Sequence, residues 1–166
     1  RGGFETRPYG DTLPTMRYDP FRHNRRSTRL PGYDYTAPGA YFITICAHAR
    51  EPLFADPRIA RIVSAAWDDI PSHHGHVEID GFIVMPNHVH VVLQPFPSHD
   101  LSSIGHSWKS FTAKEANRHL NRAGAFWQKE SYDHIVRDES DFARTIRYVQ
   151  DNPAKAGLTN WTWVWP

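Results

Sequence analysis

The stretch Val84-Met85-Pro86-Asn87-His88-Val89-His90-Val91-Val92-Leu93 constrains what this chain can fold into more than any other. Apolar residues alternate there with two histidines, and strand side chains change face at every residue. A strand over residues 84–93 therefore points His88 and His90 to one side, and Val89, Val91 and Leu93 to the other, into a core. Two imidazoles on a stiff β-branched strand make a rigid pair of nitrogen donors, suited to a divalent metal. The same spacing also describes two solvent-facing histidines on an open sheet, so the pair alone does not decide.

The elements around that strand set its surroundings. Residues 39–47, with Tyr41-Phe42-Ile43-Thr44-Ile45-Cys46, read as an aromatic and β-branched strand. Asp56 is placed to cap a helix and Pro57 to open it. Ile59, Ile62, Val63, Ala66, Trp67 and Ile70 then recur at helical spacing as an apolar stripe. His73-His74-Gly75-His76 reads as a polar turn rather than a metal site, because no apolar framework fixes its rings. Val77-Glu78-Ile79 gives a second strand, and Asp80-Gly81 a tight hairpin turn into the histidine strand. A second helix is expected over residues 101–122, with Ile104, Trp108 and Phe111 inward and Lys114, Arg118 and Arg122 as a basic ridge. A short strand and loop follow over 125–137, then a third helix from Asp138 to about Asp151, ended by Asn152-Pro153. This order predicts an α+β fold: a ferredoxin-like or RRM-like antiparallel sheet with helices packed on it.

At 166 residues the chain suits one domain flanked by a tail. No apolar run reaches the roughly 18 residues of a membrane span. The single cysteine, Cys46, excludes an internal disulfide, and a cytoplasmic location is expected. Net charge is only +1 but unevenly spread: residues 1–50 carry +4 and residues 51–166 carry −3. Residues 1–38, broken by Pro8, Pro14, Pro20, Pro31 and Pro38, read as an extended basic arm. Its Arg17, Arg22, Arg25, Arg26 and Arg29 lie among Tyr18, Phe21 and His23, a composition that holds phosphates and stacks on bases, or simply a solvated tail.

In the last helix Phe142, Ile146 and Val149 form the apolar stripe, and Tyr148 lies about 100° around the axis from Val149. Asn152, four residues on, shares the face of Tyr148. A tyrosine so placed either presents its phenol to a site or lies flat at a helix–sheet seam. The first placement suggests a mechanism. His88 and His90, with Asn152 as candidate third ligand, would hold Mg²⁺ or Mn²⁺, the mixed nitrogen and oxygen set suiting Mn²⁺ at least as well. The ion would neutralise a scissile phosphate. A phenol with a free pKa of about 10 is a poor nucleophile until a nearby cation favours the phenolate.

Met85-Pro86-Asn87-His88-Val89-His90 resembles the HUH motif (His, bulky apolar, His) of single-tyrosine transposases. Arg29-Leu30-Pro31-Gly32-Tyr33-Asp34-Tyr35 and Pro38-Gly39-Ala40-Tyr41-Phe42-Ile43-Thr44 resemble the amino-terminal signature of REP-associated tyrosine transposases. Trp127-Gln128, Tyr132-Asp133-His134-Ile135, Ile146-Arg147-Tyr148-Val149, Asn152-Pro153 and Lys155-Ala156-Gly157-Leu158 follow in that family's order. The resemblance spans about residues 29–158 and implies an HUH endonuclease fold, with a nuclease domain over 39–158 and a carboxy-terminal tail over 159–166. It implies cleavage and rejoining of single-stranded DNA at REP-type hairpins through a 5′-phosphotyrosine, in a monomer or homodimer. His88 and His90 would be metal ligands and Tyr148 the nucleophile, with Tyr132 the runner-up. Asn152 stands where related enzymes carry a glutamine ligand, one methylene longer, which leaves His134 as a competitor for third ligand. Arg25, Arg26 and Arg29 would read a short tetranucleotide beside the hairpin foot, and Lys114, Arg118 and Arg122 would track phosphates.

Two other readings use the same residues. A metal phosphodiesterase would employ both histidines with water as nucleophile. A non-catalytic RRM-like module would stack bases on its sheet, although the strand face here carries histidines where aromatics are expected.

Overall fold

A computed structural model describes residues 32–73, 77–97 and 99–165 of the chain. Arg25, Arg26 and Arg29, with the rest of the arm up to residue 31, lie outside the described residues, as do His74 and His76.

The aromatic and β-branched run becomes β1 (Tyr41–Cys46), followed by α1 (Pro57–His73), whose apolar stripe is buried at Ile59, Val63, Ala66, Trp67 and Ile70. Then come β2 (Val77–Met85), β3 (His88–Pro95), α2 (Leu101–His119), β4 (Tyr132–Ile135), α3 (Glu139–Lys155) and β5 (Val164–Trp165). The sheet order is β4-β1-β3-β2-β5 with every pairing antiparallel. The four-strand core has the order expected of a ferredoxin-like or RRM-like unit.

The hairpin is not where Asp80-Gly81 suggested. β2 runs straight through that dipeptide, and the register steps from Ile79↔Leu93 to Gly81↔Val92, which absorbs Asp80 as a bulge. The turn is Pro86-Asn87, with Met85 opposite His88. Proline brings a preset φ and no N–H for a ladder, so Pro86 suits the corner and not the strand interior. The turn is tied down from outside, since Phe54 N donates to Pro86 O and Ala47 N to Asn87 O, both at 2.9 Å. His88 thus opens β3 at the end of the sheet, and the alternation of faces is unchanged.

Cross-strand partners share a face. One face carries the rows Met85–His88–Cys46, Ile83–His90–Thr44–Tyr132 and Gly81–Val92–Phe42–His134. The other carries Tyr41, Ile43, Ile45, Val89, Val91 and Leu93, packed with Trp67, Leu101, Ile104 and Trp108 of α1 and α2. On the histidine face α3 supplies Val149, with Phe142 and Ile146, against Ile83, Met85, Val92 and Phe42. The sheet is therefore covered twice, by two helices below and one above.

Three details depart from the sequence reading. Phe111 is not inward: it is 54% exposed, and Thr112 takes the buried position, its hydroxyl bonded to Trp108 O at 2.8 Å and accepting from Trp127 Nε1 at 3.0 Å. Pro153 does not end α3, which runs on to Lys155. A proline in the last turn removes one backbone donor only, and Gly157, at φ +72°, closes the helix with Leu158 N on Pro153 O at 2.9 Å. The segment after α3 returns to the sheet: Trp161 Nε1 donates to Val84 O at 2.7 Å, and β5 pairs with Phe82 and Ile83.

Candidate active site

His88 and His90 are two apart on β3, so both imidazoles rise from the same face, and their Nε2 atoms stand 3.1 Å apart. His90 is 5% exposed, wedged beside Phe42, whose ring stacks on it with centroids 5.1 Å apart. Burial pushes the His90 imidazole down to about 3, helped by His88, and the His88 imidazole down to about 4, helped by the Arg50 charge. Both rings are neutral at physiological pH, which is the state that can donate a nitrogen lone pair to a cation. Each far nitrogen is held: His90 Nδ1 lies 2.8 Å from Thr44 Oγ1, and His88 Nδ1 lies 2.7 Å from Asn87 Oδ1.

α3 brings the phenol. Asp138 caps the helix by accepting from Asp141 N at 2.9 Å. Asp141, buried one turn in, anchors the helix to the edge strand, accepting from Arg144 at 2.9 Å, from His134 Nε2 at 3.0 Å and from Arg137 N at 3.1 Å. Burial alone would raise the Asp141 carboxyl, but these donors hold it below the usual carboxylate range. Val149 then packs inward, and Tyr148 falls beside it with its ring edge-on to both Phe42 and His90, at 5.8 and 5.4 Å between centroids. Tyr148 remains 39% exposed. It meets Phe42 and His90 on one side and is open on the other. Lys155 places its Nζ 5.9 Å from the Tyr148 ring centre.

The other residues singled out from sequence are distributed as follows. Asn152 is half-buried on α3, one turn beyond Tyr148. Tyr132 shares the face and the row of His90 but stands on β4, with Thr44 between them. His134 faces the same way and is engaged by Asp141, and among the described residues no three His, Cys, Asp or Glu side chains form a group that could hold a metal. Lys114, Arg118 and Arg122 belong to α2 and its following turn, on the opposite face of the sheet. Arg118 pairs with Glu115 at 2.9 Å and Arg122 with Glu51 at 3.1 Å. A cavity of about 290 Å³ lined by Trp67, Leu101, His106, Lys109 and Asp133 also opens on that far face, away from the pair.

Sequence reasoning passed over Phe42, Thr44 and Lys155. The register of β1 against β3 would have found the first two, since Phe42 and Thr44 alternate onto the face that β3 gives to its histidines.

The donor set fits a small divalent cation. Two ligand nitrogens at about 2.1–2.2 Å from one ion and at right angles lie about 3.0 Å apart, and the two Nε2 atoms are separated by 3.1 Å. The remaining positions would fall to oxygen donors from α3, water or a phosphate.

The family model described as "Transposase IS200 like" matches residues 38–152. A Haemophilus influenzae protein without a functional name is 30% identical over 169 residues, covering 84% of this chain and 93% of that protein. A REP-associated tyrosine transposase of Escherichia coli is 28% identical over 90 residues, 54% of this chain and 52% of that one. Among solved structures, a REP-associated tyrosine transposase bound to a REP hairpin superposes with a TM-score of 0.61 at 21% identity, over 82% of this chain and 81% of that one. The match over residues 38–152 takes in both histidines, Tyr148 and Asn152, and the chain belongs to the IS200-like transposase family.

Proposed function

We propose that this chain cleaves and rejoins single-stranded DNA beside REP-type hairpins, with Tyr148 as nucleophile and His88 and His90 as metal ligands. The observation that carries this is the ring-to-ring contact between Tyr148 and His90, at 5.4 Å, with α3 laid over the histidine face. A bound Mg²⁺ or Mn²⁺ would neutralise the non-bridging phosphate oxygens. The phenol of Tyr148 would give up its proton to water and its oxygen attack phosphorus, the P–O3′ bond would break, and the 3′ oxygen would leave and take a proton from water. The bond formed joins Tyr148 to the 5′ phosphate. Its energy is kept, so a second 3′-hydroxyl reverses the step without ATP.

Phe42 stands edge-on beside the Tyr148 ring, and the open side of that ring would admit the strand. Asn152 would offer its amide oxygen as third ligand from the same helix. Tyr132 is the alternative nucleophile, set back by one strand. The arm over residues 1–38 would add Arg25, Arg26 and Arg29 beside the hairpin foot, ahead of a nuclease domain over 39–158, in a cytoplasmic monomer or homodimer. No described helix is long and apolar enough to cross a membrane.

The test is a labelled single-stranded REP hairpin incubated with the protein and Mn²⁺, then resolved on a denaturing gel. A covalent protein–DNA band is expected from the wild type and from Tyr132→Phe, and none from Tyr148→Phe. Cleavage that persists in Tyr148→Phe without any covalent band would make this a hydrolytic phosphodiesterase instead.

A further inference from the structure

We propose that Asn87 and Thr44 set the proton positions of the histidine pair, Asn87 fixing His88 as a ready ligand and Thr44 letting His90 change tautomer. This deepens the metal-ligand reading above and rests on it. Four contacts form one chain through the site: Asn87 Nδ2 to Arg50 O at 3.4 Å, Asn87 Oδ1 to His88 Nδ1 at 2.7 Å, His88 Nε2 to His90 Nε2 at 3.1 Å, and His90 Nδ1 to Thr44 Oγ1 at 2.8 Å.

The direction of the chain follows from its fixed end. A carbonyl only accepts, so the Arg50 contact must receive the Asn87 amide NH₂, which turns the Asn87 oxygen toward His88. That oxygen also only accepts, so His88 carries its proton on Nδ1 and its lone pair on Nε2. Only one proton fits between the two Nε2 atoms, and it must come from His90. His90 Nδ1 is then an acceptor, and the Thr44 hydroxyl donates to it.

A cation between the rings needs both Nε2 lone pairs. His88 already offers its own. His90 must give up its Nε2 proton to water and take one on Nδ1, so the ring stays neutral. Its Nδ1–H then needs an acceptor at 2.8 Å, which the Thr44 hydroxyl becomes by rotating about its C–O bond. The rings need not separate, since 3.1 Å lies within range of both a hydrogen bond and two neighbouring ligands of one ion, and a turn of the rings in place re-aims the Nε2 atoms. Valine in place of Thr44 would fill the strand position and could serve neither state.

The test is ¹⁵N–¹H long-range NMR of the histidine rings in chelator-treated protein, assigned with His88→Gln and His90→Gln, and then titrated with Mg²⁺ or with Cd²⁺ as a diamagnetic stand-in for Mn²⁺. His88 is expected to be protonated at Nδ1 throughout, and His90 to pass from Nε2–H to Nδ1–H as metal is added. Thr44→Val should weaken Mn²⁺ binding about 10- to 100-fold, with Thr44→Ser restoring it. Asn87→Asp, which keeps an oxygen acceptor, should preserve the His88 tautomer that Asn87→Ala loses. A metal-free spectrum with His90 already on Nδ1–H, His90 unmoved by metal, or Mn²⁺ affinity unaltered in Thr44→Val, would overturn the proposal. The ring spectra and metal affinity require no DNA, so a missing covalent band would strike the cleavage reading alone.

Discussion

On the lower face of the sheet, α1 and α2 press Trp67, Trp108 and Leu101 onto Ile43, Val91 and Leu93, with the Trp67 and Trp108 rings stacked 4.3 Å apart. On the upper face, α3 covers a small apolar group around Ile83, Met85, Val92 and Val149, and the space beside it is given to imidazoles, a hydroxyl and a phenol. The two faces draw on the same three central strands through alternate residues. Stability is concentrated where packing is all apolar, so the other face can hold desolvated histidines that cost stability.

The widest gap between the faces should appear on deleting a large ring. Trp67→Ala is expected to lose about 3–5 kcal/mol in urea unfolding, enough to unfold much of a marginal domain. A loss under 1 kcal/mol would mean that the lower face does not dominate.

The next effect is a pH signature of the upper face. Below the ordinary imidazole value of 6.5 the unfolded chain takes up protons that the folded chain refuses until about 4 at His88 and about 3 at His90. The unfolded state then binds more protons, so stability falls as pH is lowered through that window. The double variant His88→Gln/His90→Gln should flatten the decline between pH 6.5 and 4, while Trp67→Ala keeps it. An equal slope in wild type and double variant would show that the rings titrate normally.

The smallest effect concerns the far surface. Arg118 is exposed and paired with Glu115 at 2.9 Å, so Arg118→Ala should change stability by about 0–1 kcal/mol. If α2 also tracks a phosphate, the salt dependence of hairpin binding should drop by about one unit of slope. An unchanged slope would leave the hairpin to other surfaces.

Much of the layout was legible because its signals are periodic. The Ile59-to-Ile70 stripe and the alternation around His88 and His90 fix faces whatever the exact ends of the elements. What could not be read depended on partners distant in sequence. Asp80-Gly81 is turn chemistry locally, and only the continued pairing of Phe82 through Met85 with β3 makes it a bulge. Phe111 looked inward by hydropathy, but the row Ile104, Trp108, Thr112 and Ala116 is the buried one, with Thr112 satisfied by an indole from another segment. The meeting of Tyr148 with His90 was legible only as a possibility of helix phase, because a helix sequence does not state which sheet face it covers. The Thr44 and Asn87 contacts depend on register and on a side-chain flip, which no pattern carries.

The way α3 is fastened has a mechanical consequence. Its amino-terminal end is riveted by Asp141 to the edge strand through His134 and to the preceding loop through Arg137, whereas its middle rests on a few apolar side chains. Its carboxy-terminal end is tied back as well, since the segment after it returns to β2 through Trp161 and β5. Tyr148, seven residues and about 10 Å along the helix from Asp141 at about 1.5 Å per residue, is therefore carried between two fixed ends, and a shift of either anchor is passed to the phenol beside His90.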